Sequence, residues 1–181
     1  MRRNDAVMIS RLTYRSRQFW NALLSPRKPV PSQVLVSHLT PPQLGLFHRL
    51  LPAEQTHAFQ IYERLKTAGH NNPDLLSAAL LHDVGKILQP LSILERIVIV
   101  LGNRLFRGAA QRWAGGPARG LRRPFVVAGQ HAGWGANLAS KAGATTVTVE
   151  LIRRHHDPHL HEPGSPIEEL LAFLQAADDE S

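Results

Sequence analysis

Leu80-Leu81-His82-Asp83-Val84-Gly85-Lys86 sets an imidazole and a carboxylate side by side at the end of an apolar run. Neither group suits an apolar interior unless something pairs with it. Just upstream, Asn72-Pro73-Asp74 combines an N-cap, a proline for the first turn and an acid where the helix dipole favours one. Leu75 to Leu81 is apolar nearly all round, which predicts a helix buried on most sides. That helix carries His82 and Asp83 inward, and Gly85 then turns the chain out. A buried carboxylate is costly without compensation, and a divalent cation is the usual remedy.

Partners for the pair are sought outward from it. Before it, residues 53–69 show Ala58, Ile61, Tyr62 and Leu65 at the spacing of a buried helical stripe, with His57 one turn ahead of Ile61 and Gly69 as the stop. Thr40-Pro41-Pro42 predicts a helix start before that. After the pair, His131-Ala132-Gly133-Trp134-Gly135 reads as the opening of a short helix running to Ala142. Thr145 to Val149 is β-branched and compatible with a strand, but a helix is expected. Leu151 precedes His155 by four residues and Ile152 precedes His156 by four, so both imidazoles extend a buried stripe. Ser165-Pro166-Ile167-Glu168 has the form of a capping box. In the helix it starts, Asp178 continues the inward row of Leu171 and Leu174, while Asp179 and Glu180 face water.

Composition narrows the chemistry. With 181 residues, 43% of them hydrophobic, one ordinary core is expected. There is no cysteine, so any metal is held by nitrogen and oxygen. No run reaches the length of a membrane span, and the apolar run 6–9 is too short for a signal-peptide core, which predicts a cytoplasmic protein. Residues 1–52 carry eight Lys/Arg against Asp5, residues 96–149 carry eight and no acid, and residues 150–181 carry two against eight acids. Basic surface of this kind serves solubility and internal charge pairing, or else attraction of a phosphorylated substrate or contact with an anionic membrane face. Nucleic acid is not expected, because no aromatic and basic interleaving accompanies the charge.

Two regions stand apart from the helices that bear the histidines. Residues 6–24 read as a basic, loosely amphipathic helix, followed by a proline-rich connector, so that residues 1–40 form an N-terminal unit and 41–181 the main domain. Within the latter, residues 91–124 read as an insertion. An apolar helix from Ile93 to Leu101, with Glu95 and Arg96 expected on its wet side, is followed by Arg104, Arg107, Arg112, Arg119, Arg122 and Arg123. That segment suits either a membrane-interface element or a surface hairpin covering the site.

His57, His82, His131, His155 and His156 with Asp83 and Asp178 are enough ligands for two cations, and iron, manganese, zinc or cobalt suits such donors. Two metals close together clamp a phosphoryl group and provide a nucleophile at neutral pH. His57, the doublet His82-Asp83 and Asp178 resemble, in that order, the H…HD…D signature of the HD-domain superfamily of metal-dependent phosphohydrolases. His82 to Lys86 is similar to its HD-x-G-K form, His131 to Gly135 to its H-x-x-x-G element, and His155-His156 to the paired histidines of the dinuclear branch that includes the HD-GYP phosphodiesterases. The resemblance spans roughly residues 50–180.

It implies an all-α helical bundle with the metal site at its centre. It further implies that His57, His82, Asp83 and Asp178 bind one divalent metal ion, and that Asp83 bridges to a second held by His131, His155 and His156. Lys86 would contact a substrate phosphate or the bridging hydroxide. The implied activity is hydrolysis of a phosphate ester of a nucleotide-like small molecule, with Asp83 and Lys86 as catalytic residues. The alternative is an HD-type sensory or binding module without catalysis, peripheral at a membrane. Two departures matter. Asp157-Pro158-His159 follows the paired histidines where Gly-Tyr-Pro would stand, so cyclic-dinucleotide specificity does not carry over. The acid that some members use for a third metal, four residues before the first histidine, is Ala53 here, with Glu54 one place off.

Overall fold

The computed structural model describes residues 30–105, 113, 115–157 and 164–180, and the expected helix over 6–24 lies outside them. The described residues form eight α-helices and two 3₁₀ turns, with no strand. The helices are α1 (Ser32–His38), α2 (Pro41–Phe47), α3 (Pro52–Thr67), α4 (Pro73–Leu81), α5 (Ile93–Leu105), α6 (Arg123–Lys141), α7 (Thr146–Arg154) and α8 (Pro166–Asp179). The 3₁₀ turns are Val84–Leu88 and Gly120–Arg122. The all-α expectation holds.

Local signals account for most boundaries. Thr40 N–H donates to the Gln43 side chain at 3.0 Å at the start of α2. The Asn72 side chain accepts from the backbone N–H groups of Asp74 and Leu75, at 2.9 and 3.1 Å, at the start of α4. Gly69 leaves α3 with φ 89°, a conformation that suits glycine. The β-branched stretch after Thr145 is helical because Thr145 Oγ1 caps it, accepting from Thr148 N–H at 3.1 Å.

Three expectations need correction. Residues 32–38 are not connector: α1 is a helix, and Leu35 and Leu39 are buried in the same core as α3 and α4. His131 does not open a short helix but sits inside the 19-residue α6, which starts at Arg123 with Pro124 in its first turn. The Ser165–Glu168 capping box does not form, because Ser165 makes no side-chain cap bond and the Glu168 carboxylate is engaged by Arg154.

The core lies between α3, α4, α7 and α8, where Ile61, Leu65, Leu80, Leu81, Ile152 and Leu174 are fully buried. Truncating any one to alanine costs about 2–5 kcal/mol. Helix α6 lies along the Val84–Leu88 turn and α7, so the three segments bearing His82, His131 and His155 converge. Two equal nine-residue helices, α4 and α7, are joined at their starts: Asp74 Oδ1 accepts from Thr145 Oγ1 at 2.5 Å and from Thr148 Oγ1 at 3.1 Å. Equal length from a common start brings their C-caps, His82 and His155, to the same level.

Candidate metal centre

Each buried histidine is oriented by the backbone one turn behind it. The Nδ1–H of His82 donates to the Ala79 carbonyl at 2.9 Å, that of His131 to Val127 at 3.0 Å, and that of His155 to Ile152 at 2.7 Å. A carbonyl oxygen only accepts, so these bonds fix the proton on Nδ1 and leave each Nε2 lone pair free. A metal-binding histidine is commonly held in this way. His82 Nε2 and His155 Nε2 are buried with no hydrogen-bond partner among the described residues. Unsatisfied buried nitrogens such as these are what bound cations would satisfy.

Donor atoms fall into two sets, each within 4.8 Å: His57, His82 and Asp178, and His131, His155 and His156. His57 Nε2 lies 3.1 Å from Asp178 Oδ1, and His156 Nε2 lies 3.2 Å from His131 Nε2. Asp83 stands between the sets. One oxygen is 3.5 Å from His82 Nε2 and 2.5 Å from Lys86 Nζ, and the other is 3.3 Å from His131 Nε2. All eight residues singled out in the sequence are therefore brought together. His155 and His156 lie in the turn after α7 rather than within the helix, and His156 stands at the exposed rim.

Electrostatics keeps the centre ready for cations. Burial alone would raise the Asp83 carboxyl, but Lys86, His82 and His131 outweigh it and hold it well below the usual carboxylate range. Asp178 is likewise lowered, its burial outweighed by the hydrogen bond from His57. Burial pushes His82 down against the pull of Asp83 and Asp178. His155 falls well below the ordinary histidine value through burial and the neighbouring His156, His82 and His131. His156 falls to about 4, through desolvation of its ring and repulsion from His131. Neutral imidazoles beside ionised carboxylates are the protonation states that ligate metals.

Two glycines fix the spacing. A Cβ on Gly85 would stand 1.9 Å from the His131 carbonyl oxygen and 2.7 Å from Gly135 N, and one on Gly135 would stand 3.1 Å from Gly85 N. The Val84–Leu88 turn therefore rests directly on α6, placing Asp83 beside His131.

The sequence reading missed several supports. Gln175, buried on α8 one turn before Asp178, donates to the carbonyls of Arg154 at 3.2 Å and Asp157 at 3.0 Å. It brackets the turn that holds His155 and His156. Arg154 pins the same turn to Glu168 through bonds of 2.6 and 3.1 Å. Glu54, one turn before His57, is buried, accepts from Leu51 N–H at 3.1 Å and pairs with Arg96 at 2.5 Å. An acid one turn ahead of a site histidine was the available signal for Glu54. His38 and His70, outside the centre, meet the Tyr62 hydroxyl at 3.2 Å and the Phe173 ring at 4.0 Å between centroids. His159 and His161 lie outside the described residues.

Comparison with curated proteins and with solved structures gives no match. A family model described as the HD domain matches residues 55–181, which takes in all of His57, His82-Asp83, Lys86, His131, His155-His156 and Asp178. With the helical architecture and this His/Asp cluster in place, the chain belongs to the HD-domain family, whose members are generally metal-dependent hydrolases.

Proposed function

We propose that this protein is a phosphohydrolase that cleaves a phosphate ester of the nucleotide or phosphodiester class with two divalent cations. His57, His82 and Asp178 would hold one, His131, His155 and His156 the other, and Asp83 would lie between them. The observation that carries the reading is the pair of buried, unpartnered nitrogens on His82 and His155, one in each donor set. Cations bound there supply Lewis-acid polarisation of phosphoryl oxygens and a nucleophile usable at neutral pH.

The chain's own residues supply the rest. Three Nδ1–H anchors hold the rings in place before any ligand arrives, so little reorganisation accompanies binding. Asp83 is ionised throughout the neutral range. Lys86 is three-quarters buried beside it and sets a positive charge where the non-bridging oxygens of a phosphate would collect negative charge. His57 and Asp178 are partly exposed and His156 more so, and this open side is where a substrate would enter. The donors suit iron, manganese, zinc or cobalt.

A panel of phosphomonoesters, phosphodiesters and nucleotides, assayed with each of these metals, tests the reading. The expected result is metal-dependent phosphate release that Asp83→Asn abolishes. Two bound metal ions without hydrolysis of any ester would point instead to a binding module.

A further inference from the structure

Ten large apolar side chains are exposed among the described residues, and seven of them fall between positions 88 and 121. Scattered exposed leucines need no explanation, but this concentration does. Its centre is α5, whose polarity is reversed. Glu95 and Arg96 point toward the body of the protein, Glu95 meeting Arg123 at the start of α6 and Arg96 meeting Glu54 on α3. Gly102, one turn or two further along, lies against the Phe125 ring. The opposite face carries Leu94, Val98 and Leu101, at i, i+4 and i+7, and all three are exposed, Leu94 by 74%. Leu121, 93% exposed, precedes by two residues Arg123, whose side chain reaches Glu95 in the first turn of α5.

Charge identifies what would cover this face. From residue 96 to 149 there are eight Lys/Arg and no acid. Arg119 and Arg122 flank Leu121, are exposed, and form no ion pair among the described residues. A second copy would bring the same cations face to face. Residues 1–29, with seven Lys/Arg against Asp5, would do the same. Exposed apolar side chains with Arg119 and Arg122 beside Leu121 fit a surface that is apolar beneath a negative layer. We infer that α5 and the Gly120–Arg122 turn form a docking face for an anionic lipid bilayer, with Leu94, Val98, Leu101 and Leu121 entering the interface and Arg119 and Arg122 meeting lipid phosphates. No helix among the described residues is long and apolar enough to cross a membrane, so the attachment is peripheral. This surface is separate from the metal centre and does not depend on its chemistry.

Co-sedimentation of the full chain with phosphatidylglycerol/phosphatidylcholine vesicles, against phosphatidylcholine alone, tests the proposal. Binding to the anionic vesicles should be at least about tenfold tighter, and Arg119→Gln with Arg122→Gln should weaken it by about tenfold or more. It should vanish at about 1 M salt, where the screening length is about 3 Å. Leu94→Gln, Val98→Gln and Leu101→Gln together should reduce it to the phosphatidylcholine level, with an unchanged circular dichroism spectrum. Three results would overturn the proposal. One is the absence of any anionic preference. Another is binding that both sets of variants leave untouched, which would place the attraction on residues 1–29. The third is a concentration-dependent dimer that the leucine substitutions dissolve, with no change in vesicle binding.

Discussion

The metal centre and α5 are opposite solutions to the same problem of polarity. At the centre, polar groups are buried: His82, Asp83, His131 and His155 are almost inaccessible, and the chain itself orients each of them. On α5, apolar groups are exposed while the charged side of the helix is turned inward and paired. Burying a polar group and exposing an apolar one both cost free energy in the isolated protein. On the readings proposed above, these two regions are the places where something outside the chain completes it, cations in one case and a surface in the other. They should respond to different agents, the first to metal and pH, the second to lipid and salt.

The largest effect is expected where the centre rests on backbone contact. Gly85→Ala would force a methyl group into the His131 carbonyl, so the turn carrying Asp83 must lift from α6. Such overpacking costs about 1–3 kcal/mol, and metal binding should fall with it. Chemical denaturation and metal titration on one preparation check this. Unchanged values for both would show that the close approach is not what positions Asp83. Gln175→Leu is predicted to act more selectively. It keeps the volume on α8 but releases both ends of the turn holding His155 and His156. Metal affinity should drop by about 10- to 100-fold, as for other groups that orient ligands. Wild-type affinity in that variant would remove Gln175 from the account.

Much of this was legible in the sequence because the ligands lie at helix ends with strong local signals. The Asn72-Pro73-Asp74 start and the apolar run to Leu81 identify α4 and its inward end, and the Leu171, Leu174, Asp178 row identifies the inner face of α8. The extent of α6 was not legible. Gly133 and Gly135 weaken helix propensity in its middle, and Gly135 is there for its contact with Gly85, a tertiary reason without local trace. Helix α1 was hidden by the prolines before it. Glu168 looked like a capping residue because its spacing from Ser165 is right, but a bidentate arginine competes better for its carboxylate than the Ser165 backbone N–H does. The sequence puts Glu95 and Arg96 on the wet side of α5, and the structure reverses this, because periodicity gives a helix an apolar face without saying which way it turns.

The pH response should separate the regions further. His82, His155 and His156 all have folded values below the ordinary 6.5, so the unfolded chain binds more protons as the pH falls. The stability held by their neutral forms is complete above about 6.5 and is lost as the pH drops toward the lowered folded values. Each histidine contributes at most about 1.4 kcal/mol per pH unit. Asp83 and Asp178 lose their contribution in the same direction, below the carboxylate range. The melting temperature of metal-free protein should therefore fall steadily from pH 7 to pH 5, and a flat profile would contradict the assigned protonation states. The smallest effect is expected on the other side of the comparison. Leu94→Gln changes a side chain that is 74% exposed, so stability should shift by no more than about 0.5 kcal/mol, with metal affinity unchanged. A larger loss in thermal unfolding would mean that Leu94 packs into the fold after all.

The central claim is that two donor sets share Asp83, and metal content tests it most directly. Elemental analysis of untagged protein reconstituted without chelator should give about two equivalents of iron, manganese or a similar ion per chain. In Asp83→Asn, which keeps the shape but removes the charge, the content should fall sharply while the helical spectrum is retained. One equivalent or none in the reconstituted wild type, or two retained in Asp83→Asn, would contradict the claim.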